Sequence, residues 1–238
     1  MRVLFIQHDH VSPAGPIAER FEQRGYTVDY LEIVDKDNHQ TPNVPATFPA
    51  VGDYDIVVPM GAPWGAWEDE RIGNWLLPEL DYVTACHNAG TPIFGICFGG
   101  QLMARALGGS TMKAPGYEIG FTYVWSDDES LIPAGPWFQW HFDRFVVPPR
   151  ATEIARTSKA PQAFVQGRTL GLQFHPELTG SALELWLDDS ELESLRRDGQ
   201  DPELLIAHAH HADSGTISRA HNLVDAFLDR IATNPVVI

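Results

Sequence analysis

Basic residues are scarce in this chain: 16 Lys and Arg stand against 32 Asp and Glu in 238 residues, a formal net charge of -16. Contact with phosphate needs a basic face, so nucleic acid and an anionic membrane surface are excluded as partners. Cysteine is scarcer, limited to Cys86 and Cys97. A pair this close, across a helix end and a strand, is poor disulfide geometry, and a secreted scaffold would carry more. No apolar run approaches the length of a membrane-crossing helix. The opening MRVLFIQHD reads as a first strand and not a signal peptide. The expectation is a soluble, cytoplasmic protein. Internal repeats and low-complexity tracts are absent, as is a Gly-x-x-x-x-Gly-Lys-Ser/Thr phosphate loop. His208, His210, His211 and His221 cluster late in the chain, but no cysteine or spaced carboxylate set completes a metal site. They read as a solvated helix face.

What is present is an alternation of strands and helices. Hydrophobic residues make up 44% of the chain, enough for a sizeable core in one large domain or two small ones. Residues 3–7 are apolar and polar-bounded, as in a buried central strand. A short helix over 17–24 is closed by Gly25, and a second strand follows over 27–33. Residues 35–49 form a polar, Pro-rich loop, 54–60 a third strand, and 72–88 a helix containing Pro78. His8 and His10 follow the first strand, where α/β sheets bind ligands, and read as solvated histidines at a pocket edge, with a metal pair as the alternative. Past residue 110 the pattern changes. Short strands over 111–125, 137–147, 153–157, 163–166 and 170–174, separated by turn signals, predict antiparallel additions to a mixed sheet. Residues 181–197 are amphipathic, and two further helices are expected over 203–212 and 217–231.

The chemistry concentrates in PIFGICFGGQLMARALGG, residues 92–109. A strand over 92–97 runs into a helix over 99–107 through Gly95-Ile96-Cys97-Phe98-Gly99. This is the pattern of a nucleophile elbow, Gly-x-nucleophile-x-Gly, whose sharp turn leaves no room for a Cβ on either side. The turn sets the cysteine at a helix N-terminus, whose positive end favours a thiolate. The loop Gly61-Ala62-Pro63-Trp64-Gly65 follows the third strand and can turn backbone N–H groups toward a pocket. Pro63 has no N–H, so a donor comes from Gly61 or Ala62. His175-Pro176-Glu177 ends the last strand. In extended chain His175 and Glu177 face the same way, so the carboxylate can fix one imidazole nitrogen while the other meets a nucleophile. Trp64, Trp67 and Trp140 suggest an aromatic wall for a leaving group; the alternative is that they only pack the loop against the sheet.

These segments resemble the class I, triad-type glutamine amidotransferases, and among them the stand-alone proteins similar to the amidotransferase domain of GMP synthase. The resemblance rests on Gly95-Ile96-Cys97-Phe98-Gly99-Gly100-Gln101, on Gly171-Leu172-Gln173-Phe174-His175-Pro176-Glu177 and on the loop opening Met60-Gly61-Ala62-Pro63. Gly116-Tyr117-Glu118-Ile119-Gly120 and Trp140-His141-Phe142-Asp143-Arg144-Phe145 resemble the stand-alone subgroup. It implies a three-layer α/β/α fold with a mixed, mostly parallel, flavodoxin-like sheet. The amidotransferase-like domain would span 1–187, with 188–238 a helical extension packed on it. Cys97 would be the nucleophile, His175 the base and Glu177 its orienter. The backbone of Phe98 and of Gly61 or Ala62 would form the oxyanion hole, and Gln101 and His141 would contact substrate. The family usually has Gly-Gly-Pro at Gly61-Ala62-Pro63, and many relatives have His-Gly-Asp at His141-Phe142-Asp143.

The implied reaction is attack of Cys97 on the γ-carbonyl of glutamine or a γ-glutamyl compound, then hydrolysis of the thioester to glutamate, with no metal or organic cofactor. Three functions share these residues: an ammonia donor to a separate synthetase polypeptide, a γ-glutamyl peptide or conjugate hydrolase without such a partner, and a regulatory or binding protein on this fold. The helices past Leu183 could dock a partner or form a homodimer.

Overall fold

The computed structural model describes residues 1–233; the last five positions of the expected extension, 234–238, lie outside the described residues. The elements run β1 (Arg2–Gln7), α1 (Gly15–Gln23), β2 (Thr27–Glu32), β3 (Ile56–Pro59), α2 (Asp69–Asn88), β4 (Ile93–Ile96) and α3 (Phe98–Ala106). Then come β5 (Ser110–Ser126), β6 (Gly135–Val146), β7 (Thr152–Arg156), β8 (Pro161–Gln166) and β9 (Thr169–Leu172). The chain continues with α4 (Gly180–Trp186), α5 (Asp189–Arg197) and α6 (Pro202–Ala226), which passes into a π-helical turn, Phe227–Ile231.

One nine-stranded sheet has the order β2-β1-β3-β4-β9-β8-β7-β5-β6. The first five strands are parallel and the other four join antiparallel. The expected antiparallel additions are thus present, and the layering is α/β/α. The β1 sequence shows why. Val3 and Phe5 face the apolar cluster shared with α1 and α6, while Leu4 and Ile6 face the cluster shared with α2 and α3. A strand buried on both faces needs helices on both sides.

The C-terminal half departs from the expected helices in two places. Residues 181–197 are not one helix. Leu187 leaves helical geometry at φ -93°, ψ 86°, and Asp188 caps a new helix by accepting from the Glu191 N–H at 2.9 Å. The stretch 203–231 is one continuous run and not two helices. Asp213-Ser214-Gly215 lies between the two expected helices, yet the Asp213 carboxylate accepts from the Gly180 N–H of α4 at 2.8 Å, and Thr216 bonds back to the Ala212 carbonyl. Tertiary packing overrides the local signal. Arg20 of α1 and Arg24 just past its end hold Asp225 at the far end of α6, at 2.6 and 2.5 Å.

Four of the parallel strands, β1, β3, β4 and β9, end on the same edge. His8 and Cys97 directly follow β1 and β4, and Gly61 and His175 lie in the segments that leave β3 and β9. Ligands in open α/β sheets bind at this edge.

Candidate active site

Cys97 joins β4 to α3 with φ 51° and ψ -102°, the one non-glycine residue at positive φ among the described residues. Such a backbone costs on the order of 1–3 kcal/mol and persists where its surroundings over-determine it. Here they do. The Cys97 N–H donates to the Leu172 carbonyl and its own carbonyl accepts from the Gln101 N–H, both at 2.9 Å; the Gly99 N–H donates to Met60 at 2.9 Å. The flanking glycines are a steric requirement. A Cβ on Gly95 would lie 2.6 Å from the Gly99 carbonyl oxygen, and one on Gly99 would overlap the Pro59 carbonyl. The thiol is 6% exposed, lies 4.0 Å from the Trp140 carbonyl, and faces the Gln173 amide, Nε2 to Sγ, at 3.6 Å.

His175 is anchored by its N–H to the Phe138 carbonyl of β6 at 2.9 Å. Its Nδ1 meets Glu177 Oε1 at 2.7 Å, while its Nε2 has no hydrogen-bond partner. Pro176 and Glu177 form a turn and not the expected extended segment, so it is the turn that folds the carboxylate back onto the ring. The imidazole and the thiol side chain border the same point: a Cβ built on Gly61 would lie 3.2 Å from His175 Cε1 and 4.0 Å from Cys97 Cβ. Burial, the largest single influence, drives protons off His175, but Glu177 and then Cys97 outweigh it, so the ring holds its proton well above the ordinary histidine range.

Gly61, Ala62, Cys97 and His175 border a cavity of about 390 Å³. Gln101 and His141 are absent from its lining. Gln101 is buried behind Gln173, donating to its Oε1 at 3.4 Å. His141 belongs to a buried cluster in the β5–β6 ribbon, with Nδ1 2.9 Å from the Asp143 carbonyl and Nε2 3.3 Å from Glu118 Oε2. Phe98 places its ring in the core beside His8. Trp64 and Trp67 do not line the cavity, contrary to the aromatic-wall expectation. Trp64 packs edge-on against Trp75 in the core, because its loop folds inward, and Trp67 donates to Asp143 on the surface. Trp140 does line it, joined by Leu185, Trp186, Asp188 and Glu191. Sequence reasoning missed that last group. The available signal was Asp188-x-x-Glu191, a helix-start pattern that breaks the amphipathic stretch and turns its end toward the cavity.

The two early histidines part company. His10 lines the cavity, its ring 5.3 Å from that of His39. His8 is not solvated: it is fully buried, because its ring is enclosed between Trp75 and Phe98 and its nitrogens reach Gly61 and Glu79. No group of three or more His, Cys, Asp or Glu among the described residues is placed to hold a metal ion. Among the described residues no helix is long and apolar enough to cross a membrane.

Known proteins resemble this chain in sequence and in fold. The glutamine amidotransferase class-I family model matches residues 17–189. The glutamine amidotransferase-like protein YfeJ of Salmonella typhimurium is 27% identical over 212 residues, covering 81% of this chain and 82% of that protein. A glutamine-hydrolyzing GMP synthase subunit from Sulfurisphaera tokodaii is 33% identical over 148 residues, 58% of this chain and 74% of that protein. The chain matches only 22% of the GMP synthase of Aeropyrum pernix. The crystal structure of a glutamine amidotransferase from Thermotoga maritima superposes with a TM-score of 0.82 at 27% identity, covering 98% of this chain and 99% of that one. On these matches the chain belongs to the class-I glutamine amidotransferase family.

Proposed function

We propose that the protein hydrolyses the γ-amide of glutamine or of a γ-glutamyl amine, with Cys97 as nucleophile, His175 as proton carrier and Glu177 as its orienter. The observation that carries this is the strained elbow holding Cys97 beside an imidazole whose Nδ1 is fixed by Glu177 and whose Nε2 is free. The Cys97 sulfur bonds to the γ-carbonyl carbon, and the oxygen takes the negative charge. Backbone N–H groups receive it: that of Phe98, in the first turn of α3 where no intrahelical acceptor exists, and one from Gly61 or Ala62. His175 gives its proton to the departing nitrogen as the C–N bond breaks. Water then attacks the thioester, returning the thiol and releasing glutamate. Gln101 and His141 support the site from behind its lining in this reading.

The test is glutamate release from glutamine and from γ-glutamyl-Ala, -Leu and -Phe. Wild type and Cys86→Ala should turn over, and Cys97→Ala should not. Equal loss in both cysteine variants overturns the assignment. The GMP synthase relatives support a second reading, in which the ammonia passes to a separate synthetase polypeptide. Glutaminase activity that rises only when a GMP synthetase polypeptide is added would favour it.

A further inference from the structure

His8 is 0% exposed and lies directly after β1. Its Nδ1 is 3.0 Å from the Gly61 carbonyl oxygen, and its Nε2 is 3.0 Å from both oxygens of Glu79, itself 0% exposed on α2. Both ring nitrogens thus face acceptors. A neutral imidazole carries one N–H and would turn a lone pair on one of them. Burial is the largest influence on the ring and opposes the charge, but Glu79 and then the Gly61 carbonyl more than offset it, so the pKa is raised, in keeping with the two acceptors that face the ring. The ring also packs on Phe98, with centroids 4.6 Å apart, and on Trp75 at 5.4 Å. One side chain therefore touches both segments that supply candidate oxyanion donors, the loop at Gly61 and the residue after Cys97.

The contact with Gly61 has a geometric consequence. No peptide bond among the described residues is cis. In a trans peptide the carbonyl of one residue and the N–H of the next point in opposite directions. With the Gly61 oxygen drawn onto His8, the Ala62 N–H points away from His8, and among the described residues it has no backbone acceptor. Gly61 itself lies against His175 and Cys97, and Gly61 and Ala62 both border the cavity. We infer that the buried His8–Glu79 pair is a positioning device that fixes the Gly61–Ala62 peptide so that the Ala62 N–H is the loop's oxyanion donor. This rests on the hydrolase reading above and deepens it. His8 touches no reacting atom; it acts through one peptide plane.

The test uses the different reach of amide side chains. In His8→Gln the amide nitrogen takes the place of Nε2, keeping Glu79 paired and abandoning Gly61. In the double variant His8→Asn with Glu79→Gln, the amide nitrogen takes the place of Nδ1, keeping Gly61 and leaving no buried charge. Loss of one oxyanion donor typically costs about 10²–10³ in rate. His8→Gln should lower kcat about 100-fold on glutamine with little change in KM, and the double variant should recover at least tenfold of that. Alkylation of Cys97 by iodoacetamide forms no oxyanion, so its rate should stay within about threefold in all three proteins. Crystal structures of wild type and His8→Gln read the 61–62 peptide directly; it should turn in the variant. An unturned peptide with unchanged kcat overturns the inference. So does a kcat loss in His8→Gln that the double variant does not recover, or alkylation that falls in parallel with kcat. Absence of turnover in wild type would overturn the hydrolase reading instead, and the peptide orientation would still decide the role of His8.

Discussion

The cavity has two unlike walls. One is made where β3, β4 and β9 lead out of the sheet: Gly61, Cys97 and His175 are all buried and held by hydrogen bonds near 3 Å, with His8 behind the Gly61 carbonyl. The other comes from α4 and α5. Leu185 is 59% exposed, Asp188 and Glu191 are exposed, and Trp186 is half-buried with its indole N–H unpartnered among the described residues. Chemistry needs groups held within fractions of an ångström, and only the first wall offers that. Selection of a leaving amine tolerates adjustment, and the second wall suits it.

The sharpest way to break this contrast is to damage the rigid wall without unfolding it. Glu177→Gln keeps the shape and removes the charge that holds the His175 proton. General acid–base catalysis contributes about 10²–10⁴-fold, and kcat should fall within that range with KM nearly unchanged. The variant also carries a linkage signature. His175 is raised in the folded protein, so its stabilisation is fully present below the ordinary histidine pKa and fades as pH rises through the raised value. The melting-temperature gap between wild type and Glu177→Gln should therefore be widest in mildly acidic solution and close on the alkaline side. A gap that widens with pH would contradict it.

Gly61→Ala is the next test. The added methyl would sit 3.2 Å from His175 Cε1, too close unless the ring yields by a few tenths of an ångström. Since a misplacement of about 1 Å can cost 10²-fold, a loss on the order of tenfold in kcat is expected, with the melting temperature little changed. On the adaptable wall the effects should be selective. Trp186→Ala should lower kcat/KM for γ-glutamyl-Phe about tenfold more than for glutamine, the size expected when a half-buried aromatic contact is lost. Uniform loss across substrates would place Trp186 with the rigid wall. Asp188→Ala removes a helix cap worth about 1 kcal/mol, and should move the melting temperature by about 2–4 °C while leaving kcat on glutamine nearly intact.

The rigid wall was partly legible in the sequence. Gly95 and Gly99 around Cys97 carry a steric message that survives without coordinates, because an elbow has no other way to fit. His175 and Glu177 stand two positions apart, and their contact is local enough to anticipate even though a turn makes it. His8 was not legible. A histidine after a strand looks like loop chemistry, and its partner Glu79 lies 71 positions away on a helix whose pattern marks nothing unusual there. Trp64 and Trp67 left two readings open because adjacency in sequence says nothing about whether a loop folds in or out, and for Trp64 the packing reading holds. The continuous α6 was hidden behind Asp213-Ser214-Gly215, where the Asp213 carboxylate finds a partner on α4 and its carbonyl one within the helix itself.

The break at Leu187 and Asp188 has a consequence for heredity. Cys97, His175 and Glu177 are all encoded before the chain reaches Leu185, and the exposed wall begins there. A lineage could rewrite residues 185–191 by point change, insertion or recombination while every codon for the proposed catalytic groups stayed intact. On the proposed function, such changes would alter the amine accepted and leave Cys97, His175 and Glu177 as they are.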